Sequence, residues 1–343
     1  MQTLIIILNN FTCNQNNMEQ QPFFEQRTDL SKLSRAVTEI KNNLAKVIVG
    51  QQDTVDLLVA GILADGHVLI EGVPGIAKTL MAKLIAKSID AKFSRIQFTP
   101  DLMPSDVLGT SVFNPKTVEF EFKQGPVFGN IILIDEINRA PAKTQAALFE
   151  VMEERQVTID GHSYKMHEPF IVVATQNPVD QEGTYRLPEA QLDRFLFKIE
   201  VKYPTLEEEI EIISQQHQQK NSEQLAEIKP VLNSEEIIAL RQLVRGLYVE
   251  PKLLEFVAKI INDTRSNKSL YLGGSPRASL AIVNSAKALA AMKGRDFITP
   301  DDIIWVAPAV LRHRLMLTAD KEMEGMTTDE VVKQIVQKIE IPR

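Results

Sequence analysis

Of the 343 residues only one is cysteine, Cys13, so the chain forms no internal disulfide and offers no thiolate cluster to a metal. A reducing cytoplasm fits that usage. The five histidines are scattered, none at metal-ligand spacing. No apolar run is long enough to span a bilayer. The longest near the start, within Met1–Leu8, has neither a basic flank nor a small-residue cleavage site. Basic residues are not in excess: the net charge is −7 and the isoelectric point about 5.5. Such a chain is a poor general binder of nucleic acid, which needs clustered Lys and Arg. There are no internal repeats. What is present, 44% hydrophobic and 24% charged residues, suits a globular protein of about two domains.

The most informative stretch is Glu71-Gly72-Val73-Pro74-Gly75-Ile76-Ala77-Lys78-Thr79. It follows a short apolar run, His67–Ile70, and precedes a helical pattern from Leu80. Strand, glycine-rich turn, Lys-Thr and helix make the arrangement that cradles phosphate. The glycines let backbone N–H groups curl around phosphate oxygens, and the helix N-terminus adds partial positive charge. Lys78 would reach the β- and γ-phosphates, and the Thr79 hydroxyl would ligate Mg²⁺. Ala77 stands where the common pattern has glycine.

Helical spacing runs from Leu30 to Val47 and again from Asp53 to about Ala64. These two helices, with Val49-Gly50-Gln51 between them, either wall the base of a nucleotide or form an ordinary hairpin. Residues Met1 to about Gln26 read as a disordered leader, with Met18 an alternative start. Lys92–Phe98 reads as a strand. The alternation Thr117–Phe122 predicts one arm of a ribbon. Asn130–Glu136 is an apolar run ending in two acids, as in a parallel strand buried on both faces. Asp160-Gly161 marks a tight hairpin, and Phe170–Thr175 is another buried strand. Strands alternating with helices predict a parallel α/β sheet. Beyond Tyr203 everything reads as helix, with capping boxes at Thr205/Glu208 and Thr299/Asp302. The expected division is a leader over 1–28, an α/β core over 29–203 and a helical domain over 204–343.

Asp135 and Glu136 end a strand expected to lie next to the phosphate-loop strand, beyond whose carboxyl ends ligands bind. Asp135 would hold Mg²⁺, and Glu136 would polarise a water for attack on the γ-phosphate. Asn177 sits at the tip of the next apolar strand, either orienting that water or forming a turn before Pro178. Arg194, in Gln191–Phe195, reads as a functional cation or a surface ion pair. Arg277, in Gly273-Gly274-Ser275-Pro276-Arg277, reads equally as a phosphate partner or a solvated helix-start residue.

Taken together these motifs resemble an AAA+ ATPase from about Val47 to Leu311. Gly72–Thr79 resembles Walker A, Ile131–Glu136 Walker B, Asn177 sensor 1, Arg194 the arginine finger and Arg277 sensor 2. The wording of Gly-Val-Pro-Gly-Ile-Ala-Lys-Thr, Asp-Glu-Ile-Asn-Arg-Ala-Pro, Met-Glu-Glu-Arg-Gln-Val-Thr, Ala-Thr-Gln-Asn-Pro and Glu-Ala-Gln-Leu-Asp-Arg-Phe is similar to the MoxR subfamily. Arg186, in place of an expected proline, is a departure that touches no catalytic role.

The resemblance implies a P-loop core with a parallel five-stranded sheet and a smaller all-α lid. It places Gly50 and Gln51 near the adenine, and Gly72 through Leu80, including Val73, Pro74, Gly75 and Ile76, around the phosphates. It makes the Thr117–Phe122 ribbon a helix-2 insert and the Asp160-Gly161 hairpin a pre-sensor-1 insert, both facing a pore or client. Arg194 would act on a neighbour's nucleotide, Arg277 in cis or in trans, and Arg139 would add an interface contact. The implied activity is Mg²⁺-dependent ATP hydrolysis by a ring, a hexamer. Its role would be a chaperone working with a partner that bears a von Willebrand factor A domain. Two other readings stand beside it: a nucleic-acid motor of the same branch, and a non-catalytic ATP-dependent assembly switch.

Overall fold

The computed structural model describes residues 29–73, 75, 77–177, 185, 187–218 and 228–342. The expected leader, Pro74, Ile76 and Arg186 lie outside the described residues. Strands are numbered in chain order: β1 His67–Glu71, β2 Phe93–Gln97, β3 Gly109–Asn114, β4 Glu119–Gln124, β5 Ile131–Asp135, β6 Gln156–Ile159, β7 His162–Lys165, β8 Ile171–Gln176 and β9 Phe195–Glu200. The first seven helices are α1 Ser31–Ala45, α2 Gln52–Leu63, α3 Lys78–Ser88, α4 Pro104–Leu108, α5 Ala142–Glu154, α6 Glu189–Leu192 and α7 Leu206–Gln218.

Five strands pair in parallel in the order β2-β5-β8-β1-β9. Successive residues of a strand face opposite sides, so each central strand feeds two cores. Val68, Ile70, Ile131, Leu133, Ile171 and Val173 pack on one side with α1, α2 and α3. Leu69, Ile132, Ile134, Val172 and Ala174 pack on the other with Leu148, Phe149 and Met152 of α5. This is why the three strands read as unbroken apolar runs rather than as alternations.

The order corrects one expectation. The strand ending in Asp135 is not beside the phosphate-loop strand; β8 lies between β5 and β1. The crossover from β1 through α3 to β2 skips two positions, and β5 and β8 fill them. Phe170–Thr175 is as apolar as Asn130–Asp135, so composition carries no sign of which strand lies inside. The consequence is chemical, because Thr175 and Asn177 at the end of β8 now stand between the cradle and the acids.

The two expected hairpins are present. Strands β3 and β4 pair antiparallel, but the second arm begins at Glu119 rather than Thr117. Val118 takes a left-handed conformation (φ 58°) and belongs to the turn. Strands β6 and β7 pair around Asp160 and Gly161, both at positive φ, as a tight two-residue turn requires. The hairpins touch: the Ser111 hydroxyl donates to Asp160, and Phe122 packs on Tyr164 with ring centroids 4.4 Å apart.

Beyond Tyr203 the chain is helical, with long helices at Ser234–Arg245, Pro251–Ser266, Pro276–Met292, Pro300–Leu311 and Thr328–Lys338. The expected capping boxes form at Thr205/Glu208 and Thr299/Asp302. One addition was not legible: Leu270–Leu272 pairs antiparallel with Met316–Leu317 as a short ribbon. The apolar cluster under α1 to α3 continues through Phe256, Ile260, Ile282, Ile303 and Ile335 of these helices. The helical part therefore shares a dry core with the sheet.

Candidate functional site

The cradle begins where β1 ends. Gly72 is buried, and its N–H donates to the Gln176 carbonyl at 3.3 Å. Its carbonyl accepts from the Lys78 ammonium. Val73 is half-buried against the core below. Gly75 has φ +89°, and a methyl group there would meet nothing within 4 Å, so its backbone borders open space. Ala77 has φ +59° and ψ 20° at the N-terminus of α3. That left-handed conformation is the physical reason the common pattern has glycine there, and it costs alanine about 1–2 kcal/mol.

Gly75, Ala77, Lys78, Thr79 and Leu80 line a cavity of about 410 Å³ together with Arg95, Gln97, Asp135, Glu136, Thr175 and Asn177. The sheet thus brings five predicted residues, Lys78, Thr79, Asp135, Glu136 and Asn177, to one space. The Thr79 hydroxyl donates to Asp135 Oδ1 at 3.2 Å, and the Thr175 hydroxyl to the same atom at 3.3 Å. Asp135 is buried. Burial pulls the Lys78 ammonium below the ordinary lysine range; Asp135, Glu136 and Glu71 oppose that pull. Glu136 adopts φ 57° and ψ 55°, a strained conformation for a non-glycine residue. Its N–H donates to the Thr175 hydroxyl at 3.0 Å. Its carboxylate meets Arg139 at 3.0 Å and the Gln97 amide at 3.3 Å.

Three lining residues were missed by sequence reading. Arg95 Nε donates to Asp135 Oδ2 at 2.7 Å, and Gln97 pairs in register with Asp135. Thr175 ends β8. Arg95 and Gln97 share one face of β2, and their i, i+2 spacing at a strand's carboxyl end was a usable signal. Thr175 offered none.

A second, apolar cavity of about 140 Å³ adjoins the first, sharing Gly75, Ala77 and Leu80. Val47, Ile48, Val49, Gln51, Pro204, Ile212 and Gln215 complete its lining. The turn between α1 and α2 therefore does wall a space beside the cradle. Gln51 is left-handed (φ 56°), and its side-chain carbonyl Oε1 is buried with no hydrogen-bond partner. Gly50 has φ +68°, and a side chain there would collide with the Glu208 carboxylate of α7 at 2.2 Å. Glycine is what lets α7 close over this edge.

These features fit a purine nucleotide and its ion. The cradle leaves backbone open at Gly75, and the side pocket sets the polar side chains of Gln51 and Gln215 among apolar ones. Among the described residues no cluster of three His, Cys, Asp or Glu side chains exists to cage a metal alone. One hydroxyl and one carboxylate suit Mg²⁺, which keeps waters and phosphate oxygens as most of its ligands.

Arg194 and Arg277 are not among the residues that line either cavity. They meet each other's neighbour instead. Arg277 Nη2 lies 3.0 Å from Glu153 Oε1, and Arg194 Nη1 lies 3.9 Å from Glu153 Oε2. Arg194 also donates to the Phe149 carbonyl.

Residues 67–197 match the ATPase family associated with various cellular activities (AAA), and residues 262–335 match the AAA lid domain. The Bacillus subtilis protein YeaC is 47% identical over 310 residues, 90% of this chain and 95% of that one. Chaperone MoxR1 of Mycobacterium tuberculosis is 43% identical over 324 residues, 92% of this chain and 84% of that one. A crystal structure from Cytophaga hutchinsonii is 39% identical, with a TM-score of 0.84 over 92% of this chain and 97% of that one. Among the described residues no helix is long and apolar enough to cross a membrane.

Proposed function

From the premise that this chain belongs to the MoxR family of AAA+ ATPases, we propose that it hydrolyses ATP to ADP and phosphate as a ring-forming chaperone. The observation that carries the chemistry is the shared cavity: Lys78, Thr79, Asp135, Glu136 and Asn177 converge on it from α3 and the ends of β5 and β8. Lys78 pairs with the β- and γ-phosphate oxygens, and backbone N–H groups of Gly75, Ala77, Lys78 and Thr79 cradle them. Thr79 and Asp135 would hold Mg²⁺, which would supply positive charge to offset that of the phosphates. Glu136 accepts a proton from the attacking water, and Asn177 orients that water. Gln97 and Arg139 fix the direction of the Glu136 carboxylate. Gln51 accepts a hydrogen bond from the exocyclic amine of adenine, a donor that guanine lacks at that position.

Arg194 and Arg277 complete the site of a neighbouring subunit. Their place against Glu153, away from their own cradle, supports action in trans for both. A lone subunit then hydrolyses slowly, and a closed ring, a hexamer, supplies every site with a neighbour's cations. The exposed Val118, Phe113 and Phe120 at the β3–β4 tip present an apolar surface to a protein client. Maturation or activation of partner proteins, including metal-cofactor insertion, and a partner with a von Willebrand factor A domain complete the reading. These rest on the family resemblance, as does a cytoplasmic setting.

The test uses two variants. Lys78→Ala abolishes binding of a fluorescent ATP analogue. Glu136→Gln retains binding and loses turnover. Sustained turnover in either variant refutes the assignment.

A further inference from the structure

The last turn of α5 breaks a local rule. It carries Glu153 and Glu154 and no basic residue, although the helix dipole favours cations there. The helix Pro276–Met292 breaks the mirror rule: it has no acid in its first turn and places Arg277 there. Glu153 and Arg277 are the two disfavoured charges, and they meet at 3.0 Å. A local choice that opposes its own element is a sign of a role beyond folding.

Glu153 also faces Arg194, 3.9 Å away on its other oxygen. The backbone carrying Arg194 is tied to the helical part by separate links. Arg314 Nε donates to Asp193 Oδ1 at 2.7 Å, and Arg314 Nη2 to the Phe195 carbonyl at 2.6 Å. His313 Nε2 meets the same carbonyl at 2.9 Å. The two cations thus come from different parts of the chain and share one carboxylate, and the turn that carries Arg194 is itself tied to the helical part.

We propose that Glu153 is a positioning residue. It holds Arg194 of the core and Arg277 of the lid as one cationic pair, so that both reach a neighbour's polyphosphate together. This rests on the reading of the site as an ATPase completed in trans. Each arginine keeps its charge, and Glu153 never touches nucleotide; its contribution is geometric. A displacement of about 1 Å at a transferring phosphoryl group is enough to cost about 10²-fold in rate.

The experiment is a double-mutant cycle on full-length rings, using Glu153→Gln, which keeps the shape and removes the charge, with Arg277→Ala and the double variant. Glu153→Gln alone lowers turnover about 10²-fold, with unchanged affinity for the fluorescent ATP analogue and an unchanged thermal midpoint. In the Arg277→Ala background the same change costs less than about twofold, because the pair is already broken. Glu153→Asp, which retains the charge, restores part of the loss. The inference is overturned if Glu153→Gln leaves turnover unaltered, or if its cost multiplies in full onto Arg277→Ala. With turnover of the wild type and its loss in Lys78→Ala intact, those results sink this inference alone. Turnover that survives Lys78→Ala sinks the ATPase reading as well.

Discussion

Two inactive subunits should make an active ring. The first variant is Lys78→Ala, which removes the cation of the cradle and leaves Arg194, Arg277 and Glu153 untouched. The second is Arg194→Ala, which leaves the cradle whole. The two lesions belong to different surfaces, since Lys78 lines the cavity with Asp135 and Glu136 while Arg194 lies on Phe149 and Glu153. A trans-acting arginine is worth about 10³–10⁵ in rate, or about 4–7 kcal/mol of barrier. Each homogeneous ring should therefore be silent within assay sensitivity. In a head-to-tail ring assembled at random from equal amounts, about one quarter of the interfaces place an intact cradle against an intact arginine. Turnover per subunit should recover to about a quarter of the wild-type value when sites fire independently, and peak near equal mixing. The assay is phosphate release at fixed total subunit concentration across mixing ratios. An activity of zero at every ratio, with mixed rings demonstrated by mass, would refute delivery across the interface. Full activity of Arg194→Ala alone would refute any role for that arginine.

Ala77→Gly should stabilise the chain by about 0.5–1 kcal/mol, since relief of the left-handed alanine exceeds the added freedom of the unfolded chain. A denaturant midpoint that falls would contradict the conformation at φ +59°. Gln51→Ala should narrow the preference for ATP over GTP about tenfold or more, measured by competition for the cradle. An unchanged ratio would remove the buried Oε1 from base recognition. Acid should destabilise the fold through His67, whose pKa burial lowers from 6.5 to about 4. A depressed histidine contributes fully above its unfolded pKa and loses that contribution as pH falls below 6.5, about 2 kcal/mol between pH 7 and pH 5. His67→Gln should flatten that part of the stability–pH curve; an equal slope would mean the ring is not held neutral.

The parts legible in the sequence are those whose function requires a contiguous run of residue types. A phosphate cradle needs glycines, a lysine and a hydroxyl within one turn, so Gly72–Thr79 announces itself. A metal-holding strand end needs acids after an apolar run, so Asp135 and Glu136 do too. The β6–β7 hairpin was legible because Asp160-Gly161 is one of few dipeptides that tolerate two positive φ angles. Strand order was not, because β5 and β8 are equally apolar and nothing local fixes which lies inside. Thr175 was missed for the same reason, since its role exists only once β5 and β8 are set side by side, whereas Arg95 and Gln97 at the end of β2 carried a local signal.

Gln51 and Glu153 show where single-residue reading reaches its limit. Gln51 was placed near the base by resemblance; the structure adds that it lines the side pocket and that its carbonyl oxygen is buried and unpartnered. An unpaired acceptor costs about 1–3 kcal/mol, and that cost is recovered only by a ligand that presents a donor. Glu153 lies in the quoted wording Met-Glu-Glu-Arg without any role attached to it. The sequence did carry a clue, two adjacent acids in the last turn of a helix, but acids at a helix C-terminus are individually tolerable and say nothing of a partner. Only the fold brings Arg277, some 120 residues later, to within 3.0 Å. The cavity lies at the carboxyl ends of the central strands, whereas Glu153 and its two arginines gather at the C-terminal end of α5, outside it. On the proposed reading those arginines would serve a neighbour's cradle, and closure of a ring would be the arrangement that joins the two surfaces.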